Sequence, residues 1–163
     1  MMSYILLILG LFNFIFYNGL MIYLNKGVLP ESISDTAYIQ QKLFSGNKQF
    51  TLFCIVSALC IFPTWIGITP DVFQFLVFLS CSGMIFAGLT PLFKLKEEGI
   101  IHYTSGVVAF ITALIWLAIF GYWGTIISIA TIGGIWTLFN KEKYTFIFEV
   151  VSYILLVITL MVI

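Results

Sequence analysis

Between residues 100 and 140 the chain carries no formal charge. As continuous helix, at 1.5 Å per residue, that stretch would be about 60 Å long. A bilayer core is roughly 30 Å thick, so the segment has to turn back on itself. Gly121-Tyr122-Trp123-Gly124 is the place: two glycines permit the bend and two aromatics suit the membrane interface. Residues 50–93 repeat the pattern with a single charge, Asp71, and hold two spans and a turn. That turn is written at Gly67-Ile68-Thr69-Pro70-Asp71, with Thr69 as N-cap, Pro70 as first helical residue and Asp71 at the positive dipole end.

The composition excludes the alternatives. Hydrophobic residues make up 61%, aromatics 18% and charged residues only 9%, against about 25% charged in soluble domains. Mean hydropathy is +1.12. A water-soluble fold, a secreted disulfide scaffold, a disordered tail and a nucleic-acid binder all require more polar or more charged chains. Seven lysines balance seven acids with no arginine, so no net field draws in nucleic acid. Cys54, Cys60 and Cys81 lie in apolar runs without metal-ligand spacing and read as packing residues. The first twenty residues lack a basic leader and a small-residue cleavage site, and read as a retained span.

The expected fold is all-α: one polytopic transmembrane bundle over residues 1–163 with short loops. Its six spans are placed at 4–24, 50–66, 71–93, 101–120, 124–139 and 144–163. With six spans, Lys26, Lys42 and Lys48 fall in the first loop, Lys94 and Lys96 in the third, and Lys141 and Lys143 in the fifth. All seven then face one side, which the positive-inside rule makes the cytoplasm of a cell (inner) membrane, with both termini outside.

The first loop, 25–49, is the one polar segment long enough for structure of its own. Ser32 or Ser34 is positioned to cap a short helix through residues 35–44, and Ser45-Gly46 to stop it. Ile33, Ala37, Ile39, Leu43 and Phe44 would give that helix a partly apolar face lying on the membrane surface. It reads either as an amphipathic connector or as a lid over the bundle.

Ionisable and polar groups inside spans point to function by default. Glu149 lies about 8 Å into the last span, where it needs a partner or a proton, or else local satisfaction by Ser152 or Tyr153. His102 opens the fourth span, with Gly106, Ala109 and Ala113 following at helical spacing on a face suited to close packing. It reads as a structural histidine or as a base. A single histidine excludes a three-histidine zinc site, and no other metal or cofactor is expected. Asn18 sits near the cytoplasmic end of the first span, and Asn13, near the midplane, is expected to bond another helix. Gly83 with Ala87, Gly124 with Ser128 and Ala130 with Gly134 are small-residue pairs for packing within the bundle or between copies. No phosphate-cradling glycine loop, local Ser-His-Asp signature or inverted repeat is present.

Leu29-Pro30-Glu31-Ser32-Ile33-Ser34-Asp35-Thr36 after a first span resembles the P-x-I-S-D-T segment of the DRAM-like six-span membrane proteins. His102-Tyr103-Thr104-Ser105-Gly106 is similar to their histidine-led span head. The same landmarks more closely resemble a group of small bacterial and phage six-span proteins with an S-I/L-S-x-T loop and an H-Y span head. The resemblance implies a compact six-helix bundle with a lipid-linked role, and marks Pro30, Ser34, Asp35 and His102. The DRAM-like loop is drawn on the non-cytoplasmic side, opposite to the side the lysines here indicate.

Three functional readings follow. The first is a non-enzymatic protein binding a membrane lipid, or a membrane protein partner, through a cytoplasmic-side pocket of Asn18, Ser34, Asp35, His102 and Glu149. The second is an oligomeric ion or proton channel or transporter using Glu149. The third is an intramembrane lipid-modifying enzyme with His102 as base.

Overall fold

The computed structural model describes residues 2–139 and 144–163. Among them are seven α-helices, one 3₁₀ turn and no strand. The helices are α1 (Met2–Leu24), α2 (Thr36–Phe44), α3 (Lys48–Ile68), α4 (Gln74–Leu89), α5 (Lys96–Ile119), α6 (Trp123–Phe139) and α7 (Tyr144–Val162), with the 3₁₀ turn Asp71–Phe73 leading into α4. Five segments are long and apolar enough to cross a membrane: α1, α3, Asp71–Leu89, α5 and α7. The 17 residues of α6 reach about 26 Å, a little short of the core thickness. The polar break at 140–143, with Lys141 and Lys143, lies outside the described residues.

α3 is the hub, packing against α1, α4 and α7. α5 lies on α4, α6 on α7, and α7 also touches α1. Phe110 of α5 meets Phe148 of α7 edge-on at 5.2 Å, joining the two ends of this row. Trp65, Trp116, Phe50, Ile61 and Val77 are buried inside, while Phe12, Phe78, Val107 and Ile127 are exposed on the outside. An apolar exterior around an apolar interior is what a bundle shows when its solvent is lipid. These features fit a membrane-embedded protein.

Two ends emerge. At the opposite end from the lysines, the Trp116 indole N–H donates to Thr69 Oγ1 at 2.9 Å, and Phe73 packs edge-on against Phe120. At the polar end the 25–35 loop and α2 are bonded to the α4–α5 connection and to the start of α7. The five described lysines, Lys26, Lys42, Lys48, Lys94 and Lys96, belong to segments meeting at this polar end.

Several expectations are corrected. Thr69 does not cap the helix that follows it. It ends α3, its N–H bonded to Ile66 O and its hydroxyl to Trp65 O. α4 stops at Leu89 rather than 93: Thr90 leaves helical backbone (φ −114°, ψ 61°), and Pro91 after it has no N–H to continue the ladder. α5 starts at Lys96 rather than 101, and Glu97 and Glu98 occupy its first turn, where the helix dipole favours negative charge. Ala109 is buried as expected, but Gly106, Gly124 and Gly134 have open space where a Cβ would stand. Close helix contacts are made at Gly83, one of the small residues the sequence singles out, and at Gly133, which lies outside those pairs. A Cβ at Gly83 would stand 2.6 Å from Ser105 O, and one at Gly133 would stand 2.4 Å from the Phe148 ring.

The apolar residues named for α2 divide between two sides, Ala37 inward and Leu43 and Phe44 outward. Leu43 and Phe44 are exposed, and the residues turned into the bundle are Thr36, Ala37 and Gln40, each with no exposed surface. α2 is plugged into the end of the bundle by polar side chains. The physical reason is that helix ends leave N–H and C=O groups without intrahelical partners, and a roof that supplies partners is favoured over one that only covers them.

Candidate functional site

The roof begins where α1 ends. Lys26 and Gly27 adopt left-handed backbone (φ 58° and 79°), and Gly27 N–H bonds back to Ile22 O. Ser32 accepts the Asp35 N–H on its hydroxyl at 3.2 Å, which closes the turn before α2. Neither Ser32 nor Ser34 caps the helix as the sequence predicts: Asp35 takes the N-cap position without a side-chain cap bond, Ser32 closes the turn before it, and the Ser34 hydroxyl is spent on His102. Ser45, left-handed at φ 56°, ends α2 where the sequence predicts the stop.

Beneath the roof runs a directional hydrogen-bond chain. Thr36 Oγ1 donates to Ile33 O, so it accepts from Tyr17 Oη at 2.7 Å. Tyr17 Oη in turn accepts from Gln40 Nε2 at 2.7 Å, and Gln40 Oε1 accepts the Phe50 N–H of α3 at 3.0 Å. Tyr17 is further fixed by stacking on Phe53, with centroids 4.0 Å apart. α1, α2 and α3 are thereby locked through one buried, mutually satisfied network.

His102 is 5% exposed and sits between two partners. Its Nδ1 lies 2.9 Å from Ala87 O and 3.0 Å from Thr90 O, two acceptors, so Nδ1 carries the proton. In the neutral ring Nε2 then accepts from Ser34 Oγ–H, at 2.7 Å. Phe93 stacks on the ring at 5.0 Å. Thr51 Oγ1 donates to Gly88 O at 2.7 Å, so the orphan carbonyls at the end of α4 are served from α3 and α5. A hydroxyl donated to an oriented imidazole is also the geometry of a base-activated nucleophile. Neither surface groove described below is lined by Ser34 or His102.

Two acids complete the roof. Asp35 receives the Lys94 ammonium at 3.2 Å, and Lys94 N–H donates to Tyr38 Oη at 2.7 Å. The bond to Asp35 raises the Lys94 pKa from its ordinary value. A raised lysine stays charged at neutral pH, and its contribution to the pair is lost as pH climbs through the alkaline range. Glu149, half-buried on α7, accepts the Ile33 N–H on Oε2 at 2.7 Å, while Phe146 N–H of the same helix donates to Glu31 O.

Of the five residues singled out in the sequence, Ser34 and His102 are in direct contact. Asp35 and Glu149 hold the same loop through Lys94 and Ile33. Asn18 is buried, donates to Phe14 O of its own helix at 2.8 Å, and joins none of these bonds. Ser152 and Tyr153 do not serve Glu149: they donate to Phe148 O and Ser57 O. Asn13 bonds Ser57 Oγ on α3 at 2.9 Å, the interhelical bond expected of it. Tyr17, Thr36, Gln40 and Lys94 carry as much of the roof as the residues singled out. The signal available for them was Thr36 and Gln40, one helical turn apart on a short helix between spans.

Replacing His102 with Ala should loosen the roof. It removes the Ser34 bond and unserves two α4 carbonyls, at about 0.5–1.5 kcal/mol per bond. Amide exchange at residues 32–36 is expected to speed up about tenfold or more. An unchanged exchange rate would show that the loop does not depend on this histidine.

The outer surface carries two grooves. One, of about 370 Å³, lies between α1 and α3 and is bordered by Phe44 of α2. Tyr17 and Phe53 are buried in it, and Phe16, Leu20 and Leu52 are exposed along it. The other, of about 180 Å³, lies between α3 and α4 and is lined by Ala58, Leu59, Phe62, Phe78, Cys81 and their neighbours, with no charged residue. No protein-family model, curated protein or solved structure matches the chain.

Proposed function

We propose that this is a six-span protein of the cell (inner) membrane that binds one anionic phospholipid without catalysing a reaction on it. In this reading α6 is the sixth span, the lysine-bearing end is cytoplasmic and both termini lie outside. An acyl chain occupies the α1–α3 groove. Its headgroup lies at the polar end, among Lys26, Lys42 and Lys48.

The observation that carries this reading is the groove's position. It is apolar, faces the membrane, and is framed by the three elements that bring lysines to the polar end. Gln49 lines it and is adjacent to Lys48; Phe44 lines it and is two residues from Lys42; Lys26 follows the end of α1. Of the acids in the same loop, Asp35 is paired with Lys94 on the other flank, and Glu31 is held towards α7 by its backbone carbonyl. A lysine near an anionic membrane surface contributes about 1 kcal/mol. The α3–α4 groove has no such charges. Four of the five polar residues singled out in the sequence, Ser34, Asp35, His102 and Glu149, act here by holding the roof that borders the groove. The Ser32–Thr36 turn and the His102-Tyr103 span head, which resemble those of small six-span proteins, belong to the same proposal.

Native mass spectrometry from nanodiscs containing phosphatidylglycerol and phosphatidylcholine tests it. One retained phosphatidylglycerol is expected. The triple variant Lys26→Gln/Lys42→Gln/Lys48→Gln should lose the preference for it, and Leu52→Trp, which fills the groove, should lose the lipid. A wild-type protein that retains no lipid, or retains both lipids equally, would sink the proposal.

A further inference from the structure

Asn18 presents an unsolved problem in hydrogen bonding. It is 5% exposed, its Nδ2 is used on Phe14 O, and its Oδ1 is buried with no partner. A buried amide oxygen left unpaired is costly, so a donor is called for. The neighbouring helix supplies the place where one must come from. Phe14 of α1 stacks on Tyr153 of α7 at 4.0 Å and 9°, which fixes the register of the two helices. They run antiparallel, α1 ending and α7 beginning at the polar end. One turn towards that end from Phe14 is Asn18, and one turn the same way from Tyr153 is Glu149. On α7, Glu149 shares its face with Phe146 and Tyr153, both buried. Asn18 and Glu149 therefore occupy one layer of the α1–α7 interface.

Glu149 has one oxygen committed, Oε2, to the Ile33 N–H. An ionised carboxylate offers only acceptors, and would set a second acceptor beside the orphan oxygen of Asn18. A carboxylic acid offers one O–H. Among the described residues no cation is paired with the carboxylate, and the ion pair at this end is Lys94 with Asp35. The other titratable groups facing Glu149 are Asp35 from the loop and Cys54 from α3. α1 presents Tyr17, bonded to Thr36 and Gln40. α7 itself presents Tyr153, bonded to Ser57 O. α6 has no titratable residue between Trp123 and Trp136.

We infer that Glu149 and Asn18 form a proton-binding pair, in which the free carboxyl oxygen of Glu149 carries a proton donated to Asn18 Oδ1 while Oε2 keeps the Ile33 N–H. One proton then satisfies the orphan oxygen and leaves the layer uncharged. The site takes a proton as its ligand and stands independently of the lipid proposal.

Infrared spectroscopy of the protein in nanodiscs at neutral pH reads it directly. The expected result is a protonated-carboxyl C=O band that is lost in Glu149→Gln and shifted in Asn18→Leu. Glu149→Gln should keep the wild-type fold, because its amide can accept from Ile33 and donate to Asn18 as the acid does. A wild-type spectrum without that band would overturn the inference by showing an ionised Glu149. A band unmoved by Asn18→Leu would overturn the pairing. Should either variant fail to fold, dicyclohexylcarbodiimide, which attacks protonated carboxyls in apolar surroundings, provides the second measurement on wild-type protein. Peptide mass mapping is expected to find the adduct on Glu149 at neutral pH and to lose it in alkali, and no adduct at Glu149 would count against the proton.

Discussion

Leucine in place of Gly83 is expected to abolish most of the folded protein, while leucine in place of Gly106 leaves the yield and melting temperature near wild type. Both glycines lie in spans at the α4–α5 side of the bundle, and their sequence contexts give no hint of the difference. At Gly83 even a Cβ would stand 2.6 Å from Ser105 O, 2.9 Å from Ala109 Cβ and 3.0 Å from Ala109 N. Two of those three atoms are backbone, so no rotamer change relieves the clash, and the helices must separate. Separation also breaks the bond from Ser80 Oγ to Ala109 O at 2.8 Å. Overpacking costs about 1–3 kcal/mol where side chains can move, and more where they cannot. Helix association in lipid rests on close packing rather than on exclusion of water, so little compensates. At Gly106 the same substitution meets open space. Equal melting temperatures for the two variants in mild detergent would show that α4 and α5 do not approach as described.

The second large effect is at the opposite end. Trp116→Ala should destabilise the protein by about 3–5 kcal/mol, the range for removing a buried tryptophan. Trp116 is 1% exposed, lies edge-on to Trp65 at 5.6 Å, packs on Phe120 at 4.9 Å and stacks on Tyr122 at 5.6 Å. Its N–H reaches Thr69, whose own hydroxyl closes the end of α3. Trp116→Phe keeps most of the packing and loses the hydrogen bond, so its cost should be nearer 1 kcal/mol. Denaturation in mixed micelles separates the two. A Trp116→Ala variant as stable as Trp116→Phe would mean that this aromatic cluster contributes little.

The apolar runs gave away the helices because burial in lipid leaves few other sequences possible. Long uncharged stretches, glycine-aromatic turns and the Ser45 stop are one-dimensional signals, and each element was placed from them. Which face of a helix meets a neighbour was less legible, since spans are apolar all round and carry little periodicity. That is why the sequence marks Gly83 and Gly106 alike as packing positions, although Gly83 holds the interface and Gly106 meets open space. The polar residues were recognisable as exceptional, but their partners were not. His102 meets Ser34 from 68 positions away and Glu149 meets Ile33 from 116. In the roof helix the apolar residues do not tell which side meets the bundle: Leu43 and Phe44 are exposed, and Thr36 and Gln40 turn inward beside Ala37 to meet Tyr17 and the Phe50 N–H.

That last separation has a consequence for biogenesis. The roof loop emerges from the ribosome directly after α1, yet its anchors on α5 and α7 are made 68 and 116 positions later. At about 5–20 residues per second, roughly 6–23 s pass between synthesis of Ile33 and of Glu149. Until Lys94 and His102 are made the loop has only the Tyr17 and Phe50 side of its lock to close on, and from then until Glu149 is made only the α7 latch is missing. Final docking therefore waits on insertion of the closing helix, and a chain halted before α7 leaves the translocon with its roof half-latched.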